Sequence, residues 1–238
     1  MGEVREDLAE AFVELSDALT DDVDLAGFLK MLTTHCVALL PVDTAGVLIF
    51  RGNALRPAGA ATEPRLPGLL ALQLPSGPST ECFQARRPLV NLDLNAERRR
   101  WPGFVPAALE AGFRSLHVLP MQRGDHIIGA LNLFGASPVP LTDGDIRVGQ
   151  ALAEVATITI ERQRRLRHAE QLARQLQGAL QSRVVIEQAK GVLAERGGLD
   201  MDHAFARLRG YARGHNRRLT EVAAAVAEGT MDADDLLR

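Results

Sequence analysis

Apolar residues change their spacing twice along this chain, and the changes divide it. Between residues 7 and 40, Leu8, Phe12, Leu15 and Leu19, then Leu25, Phe28, Leu29, Leu32, Val37 and Leu40, recur at three and four. That period predicts two helices before Pro41, with Thr20 to Asp22 as candidate caps for the second. From there to about Leu141 the apolar runs are short and bounded by glycine or proline: TAGVLIF (44–50), PLVNLDL (88–94), SLHVLPM (115–121) and HIIGALNLF (126–134). These read as strands, and the RGD between the last two predicts a β-hairpin. RPAGAATEPRLPG reads as a loop, and ERRRWPGFVPAALEAG as a loop leading into a short helix near Ala107 to Ala111.

After Pro140 the strands stop. Thr142 or Asp143 offers an N-cap, no proline follows Asp145, and Ile146, Leu152, Val155, Ile158 and Ile160 begin a long helix. Leu166, Ala169, Ala173, Leu176 and Leu180 then alternate steps of three and four among arginines and glutamines. This heptad-like seam suits a single partner helix and predicts pairing of two chains, the other reading being a solvated helix docked on its own domain. From Arg183 onward the pattern predicts three helices: about Arg183 to Arg196, stopped by Gly197 and Gly198; one capped by Asp200 or Asp202 and carrying Ala204, Phe205, Leu208 and Tyr211 or Ala212 until Gly214; and one from near Thr220 to Gly229. In the first, Gly191 costs about 1 kcal/mol against alanine. The expected reason is close approach by the second or third helix, so that leucine there unfolds the module.

Composition narrows the function classes. With 46% hydrophobic and 24% charged residues the 238-residue chain reads as globular. No run approaches a membrane span, and the acidic start lacks signal-peptide character, which leaves the cytoplasm as the expected compartment. Cys36 and Cys82 have no metal-type spacing and read as ordinary thiols; the six histidines are scattered, and no metal site is expected. The net charge of −3 hides an asymmetry. Met1 to Lys30 carries nine acids against two bases, whereas Arg183 to Arg218 carries eight bases against four acids, which suggests different partners for the two ends.

Residues 183–229, with EQAKG.L, AF..LR..A and L.EVA..V in successive helices, resemble the ANTAR domain, a three-helix RNA-binding module of transcription antitermination regulators. GPSTECFQARRPLVNLDL together with the hairpin region resembles a GAF sensor domain. The resemblance implies an α+β chain: a GAF-like antiparallel sheet flanked by helices (1–160), a connecting or coiled-coil helix (161–182) and an ANTAR module (183–238). It implies a homodimer paired through the connecting helix that binds stem-loop RNA in nascent transcripts, with no catalytic activity. A small-molecule ligand for the GAF domain is possible under this reading, its identity open, and no cofactor is expected.

Lys190, Arg207, Arg209, Tyr211, Arg213, Arg217 and Arg218 are the candidate RNA-binding residues. Arginine planes neutralise phosphates and stack on unpaired bases; the plainer alternative is a solvated face paired with Glu187, Glu195 or Asp202. Tyr211 reads equally as a base-stacking residue or a core tyrosine. A helix-turn-helix at Leu219 to Arg238 is disfavoured, because five acids there face one base. AKG at 189–191 is no phosphate-binding loop. Cys82 as a chromophore attachment point, or His117 or His126 as a haem ligand, would make the chain a redox or haem sensor acting through protein contacts; core or surface positions explain them more simply.

Overall fold

The computed structural model describes residues 3–17, 25–51, 54–60 and 63–237. They form two compact units, Met1–Arg164 and Arg165–Arg238. The expected caps at Thr20 to Asp22 lie outside the described residues.

In the first unit, helices α1 (Glu3–Asp17) and α2 (Leu25–Leu39) precede strands β1 (Thr44–Arg51) and β2 (Ala54–Ala60), helices α3 (Leu66–Leu72) and α4 (Pro78–Ala85), strand β3 (Leu89–Asp93) and helix α5 (Val105–Glu110). Strands β4 (Ser115–Arg123) and β5 (His126–Gly135) then form the expected hairpin. The sheet is antiparallel throughout, in the order β2-β1-β5-β4-β3.

The segment expected to be a loop, RPAGAATEPRLPG, is instead most of β2 and the start of α3. Pro57 is tolerated because β2 is an edge strand and the register shifts beside it, between Val47 and Leu48. Gly59 is needed for a different reason. A Cβ there would lie 2.5 Å from the Cβ of Leu29, so glycine lets α2 cross the strand closely. Pro67, Pro78 and Pro106 stand in the first turns of α3, α4 and α5, where a missing N–H costs nothing. Prolines that read as interruptions are helix starts.

The two faces of the sheet are both covered. One packs Leu119, Met121, Leu131 and Leu133 against Phe28, Leu32 and Cys36 of α2 and against Leu152, Ala156 and Ile160. The last three belong to α6 (Asp143–Gly197). The other face buries Leu66, Leu70, Cys82, Trp101, Phe104, Phe113 and Phe134. Among these lies a wholly buried polar cluster of Gln73, Ser79 and Asn132. Gln73 Nε2 donates to Asn132 Oδ1 at 3.2 Å, and the Ser79 amide donates to Gln73 Oε1 at 3.0 Å. The Ser79 hydroxyl sits 2.7 Å from Gln73 Oε1 and 2.6 Å from Asn132 Oδ1, so its single proton serves one or the other.

Entry into α6 is fixed by hydrogen bonds. Asn91, at φ 56, accepts from the Leu141 amide (2.8 Å) and donates to the Leu141 carbonyl (3.2 Å), while its own amide donates to His117 Nδ1 at 2.9 Å. Thr142 and Asp145 then cap the helix reciprocally: the Thr142 amide donates to Asp145 Oδ2 (2.9 Å) and the Asp145 amide to Thr142 Oγ1 (3.2 Å).

Because His117 Nδ1 accepts, its proton sits on Nε2, which is buried without a partner. Burial pushes the imidazole pKa down to about 4. The folded chain therefore keeps His117 neutral down to about pH 4, while the unfolded chain protonates it near pH 6.5. Between those values the unfolded state binds more protons, so stability is complete above the window and falls as pH drops through it, by up to about 3 kcal/mol. Denaturant midpoints measured from pH 7 to 4.5 should fall, and His117→Leu should remove that part of the slope; an unchanged slope would show that His117 is not the titrating group.

Candidate nucleic-acid interface

The second unit contains α7 (Met201–Gly214), α8 (Leu219–Ala227) and a short α9 (Asp234–Leu237), packed on the C-terminal turns of α6. Ala189 and Leu193 of α6, Ala204, Leu208 and Ala212 of α7, Val222, Ala223 and Val226 of α8 and Leu236 of α9 form its core. The helix expected to start at Arg183 is not a separate element, because α6 runs unbroken through Gly178 to Gly197. Gly198, at φ 62, ends it, and the Leu199 amide donates back to the Ala194 carbonyl at 3.0 Å. Asp200 caps α7 by accepting from the His203 amide at 2.8 Å. The fourth helix, α9, went unforeseen, since four residues leave no periodicity to detect.

The expected role of Gly191 is overturned. A Cβ built there meets nothing within 4 Å. At about 100° per residue, Gly191 lies roughly opposite the face that carries Leu193 and Ala189 into the core. No helix of the module needs the missing side chain, so leucine at 191 has room.

The candidate basic residues separate into distinct settings. Lys190 is engaged: its ammonium pairs with Glu187 at 2.9 Å and lies 5.8 Å from the Phe205 ring centroid, leaving the side chain 14% exposed. Arg207, Arg209, Arg213 and Arg217 are exposed, and none forms an ion pair among the described residues. The expected alternative of pairing with Glu187, Glu195 or Asp202 is not what they do. Arg218 is exposed beside Glu221, 3.9 Å away. Tyr211 is half-buried against the core and stacks on His215, ring centroids 4.0 Å apart at 20°. His215 Nδ1 lies 2.9 Å from the Tyr211 carbonyl and donates to it, which holds the two rings together.

Helical geometry arranges these groups around a furrow. Ala206, Gly210 and Gly214, four residues apart, run along the solvent side of α7, and all three are exposed. A Cβ at Gly210 or Gly214 would meet nothing. Arg209 and Arg213 flank the furrow on one side; Arg207 and the Tyr211–His215 stack flank it on the other. The seven candidates thus do not form one patch: Lys190 is neutralised, Arg209 and Arg213 share a flank, and Arg207 stands across from them. The furrow was not recognised from sequence, although its signal is there as small residues at i, i+4 and i+8.

In the first unit, burial pushes the Cys36 and Cys82 thiols up to about 12, helped at Cys82 by the charge of Glu81, so both remain protonated near neutrality. His126 is exposed and lies 3.4 Å from Glu161. A groove of about 420 Å³ is lined by the stacked pair Phe50 and Phe83 (centroids 5.2 Å apart), by Leu55 and Leu74, and by Arg56, Thr80 and Gln84.

The GAF domain family profile matches residues 7–161, and the ANTAR domain profile matches residues 174–226. The chain belongs to the GAF-ANTAR regulators. Solved structures agree on the fold of the GAF half. The GAF domain of an Acinetobacter phosphoenolpyruvate-protein phosphotransferase aligns at TM-score 0.50 and 11% identity, over 64% of this chain and 92% of that one. The A. aeolicus nlh2 GAF domain aligns at 0.50 and 16%, over 66% and 98%. Residues 122 to 287 of a methyl-accepting chemotaxis protein align at 0.50 and 18%, over 62% and 95%. No curated protein matches the sequence. GAF and ANTAR domains are sensory and regulatory, and no described helix is long and apolar enough to cross a membrane.

Gly191 and Gly210 both stand in open space inside helices. Gly191→Ala and Gly210→Ala should each raise the unfolding free energy by up to about 1 kcal/mol, read by chemical denaturation with circular dichroism detection. A loss of stability in Gly210→Ala would mean that this glycine serves internal packing after all.

Proposed function

We propose that this GAF-ANTAR chain is an RNA-binding transcription antitermination regulator, in which the GAF domain senses a signal and the ANTAR module, working as a cytoplasmic homodimer, binds stem-loop RNA in nascent transcripts. The proposed division is a GAF domain over 1–160, a connecting helix over 161–182 and the ANTAR module over 183–238. The observation that carries the reading is the solvent face of α7. It presents cations that form no ion pair among the described residues, on both sides of a furrow of small residues that lets a phosphate backbone approach closely. Arg209 and Arg213 on one flank and Arg207 on the other reach phosphates; Arg217 and Arg218, in the turn opened by Asn216 at φ 51, extend the positive edge. The Tyr211–His215 stack offers an aromatic platform for an unpaired loop base. Lys190 contributes only by leaving Glu187. A ligand of the GAF domain, if it takes one, has the Phe50–Phe83 groove available.

A DNA-binding reading is weaker on charge. The segment that would carry a recognition helix, α8 to α9, holds Glu221, Glu228, Asp232, Asp234 and Asp235.

Fluorescence anisotropy with stem-loop RNA, titrated over salt, tests the proposal. Arg209→Ala and Arg213→Ala should each weaken binding about tenfold and lower the salt slope by about one. Gly210→Leu should weaken it as much without loss of helical content. Equal affinity for duplex DNA and for RNA lacking a loop would sink the RNA assignment.

A further inference from the structure

The row of α6 on which α7 and α8 dock continues beyond the ends of those helices. Val185, Ala189 and Val192 carry the row into the core of the second unit. Counted back at steps of three and four, and still within that unit, it runs through Gln181, Gly178, Arg174, Gln171 and Arg167, all exposed. On a 3.6-residue helix these five fall within an arc of about 80° that overlaps the docking face. The apolar stripe of Leu166, Leu172, Leu176, Leu180 and Val184, all at least half-exposed or nearly so, lies on the opposite side of the helix.

The composition of the row is one-sided, whereas a solvated helix face ordinarily mixes signs. Between residues 166 and 183 stand three arginines and four glutamines against a single carboxylate, Glu170, with no lysine and no aspartate. Arg167 forms no ion pair among the described residues. Arg174 lies 3.8 Å from Glu170, but 71% and 63% of the two side chains are exposed, and such a contact is worth little in water. At Gly178 a Cβ would meet nothing within 4 Å. A glycine inside a helix weakens it, and this one serves no packing among the described residues.

The position of the row follows from the way α7 turns back. Only Gly198 to Asp200 separate α6 from α7, and both helices supply one core: Leu193, Ala189 and Val185 from the first, Ala204, Leu208 and Ala212 from the second. They therefore run antiparallel, with Leu193 level with Ala204 and Val185 level with Ala212. By the same count the turn that holds Arg217 and Arg218 lies beside α6 at about residue 180. The ends of α7 and α8 form a step, and the row is the wall rising from it, with Arg174 about 9 Å and Arg167 about 20 Å above the turn along the axis.

We propose that the RNA interface continues up this wall, where Arg174 and Arg167, with Gln171 and Gln181, bind phosphates of the stem whose loop lies on α7. Guanidinium groups and glutamine amides both donate to phosphate oxygens, and Gly178 removes the side chain that would hold the backbone away. Contacts to phosphate carry no sequence information. The wall adds affinity and lays the stem along α6, and the choice of target stays with the α7 face. This rests on the proposed RNA function, and it places part of the binding site in the connecting helix.

The test uses the full chain and two RNAs with the same loop, one on a long stem and one on a stem cut to its last few base pairs, followed by fluorescence anisotropy over salt. On the long stem Arg167→Ala and Arg174→Ala should each weaken binding about fivefold and lower the salt slope by about one. On the short stem Arg167→Ala should bind as wild type does, while Arg209→Ala weakens both RNAs. Gly178→Leu should weaken binding to the long stem with helical content kept. Wild-type affinity and salt slope in both wall variants on the long stem overturn the inference, and the RNA function stands if Arg209→Ala still loses affinity. An equal loss on both stems in Arg167→Ala also overturns it, because the arginine then acts through something other than the stem. A wild-type chain that binds neither RNA overturns the proposed function, and this inference falls with it.

Discussion

Everything here depends on one constraint: a 55-residue helix must have its apolar side covered, and among the described residues of this chain only the two ends of α6 are covered. Leu152, Ala153, Ala156 and Ile160 are sealed by the sheet and α2; Ala189 and Leu193 are sealed by α7 and α8. Between them, Leu166 to Val184 stays in water. Most helix stability in proteins comes from packing an amphipathic face, so an uncovered middle is the weakest stretch of the element joining the two units. The Thr142–Asp145 cap and the Asn91 bracket fix where the helix begins, and Gly198 fixes where it ends.

The glycines sort themselves by the same test of what stands in front of them. At Gly59 a side chain would collide with Leu29, and the glycine serves the interior. At Gly191, Gly210 and Gly214 nothing stands in front, and no left-handed backbone demands glycine. Such residues weaken their own helices without internal return, which turns attention outward to a second chain or to nucleic acid. Gly191 lies on the stripe side of α6, and Gly210 and Gly214 lie between arginines on α7; the two surfaces belong to different helices and do not compete for one partner.

Much of this was legible in the residues. The hairpin was readable because RGD sits between two apolar runs, and α6 because a capped, proline-free stretch followed Pro140. The ANTAR resemblance was readable because small and apolar residues recur in a fixed order over some fifty positions. The failures have physical causes. β2 was missed because Pro57 and Gly59 suggest a loop unless the strand is at an edge and crossed closely by a helix, and both facts are tertiary. Gly178 and the change of composition near Arg183 look like a boundary and suggest a separate start for the first ANTAR helix, whereas a single glycine costs too little to break so long a helix. The inward expectation for Gly191 fails because a sequence shows that a glycine is in a helix but not which face it occupies relative to the other helices. For the basic residues the sequence shows the charge but not the pairing: Lys190 is held by Glu187, whereas Arg209 and Arg213 form no ion pair among the described residues.

A seam of this composition also suits regulation. In the proposed homodimer, alanine at two of the positions between leucines would bury little surface, so the pairing free energy would be modest rather than overwhelming. Allosteric couplings are typically about 1 to 3 kcal/mol, and a ligand shifts an equilibrium only by its difference in affinity for the two states. A long leucine zipper would be insensitive to a bias of that size; a short seam with alanines responds to it. On the proposed function, bivalent recognition would amplify the response, because two modules held together would engage a two-hairpin RNA at high effective concentration and separated ones would not. On the proposed function, the weakness of the middle of α6 is what allows a sensor at one end to matter at the other.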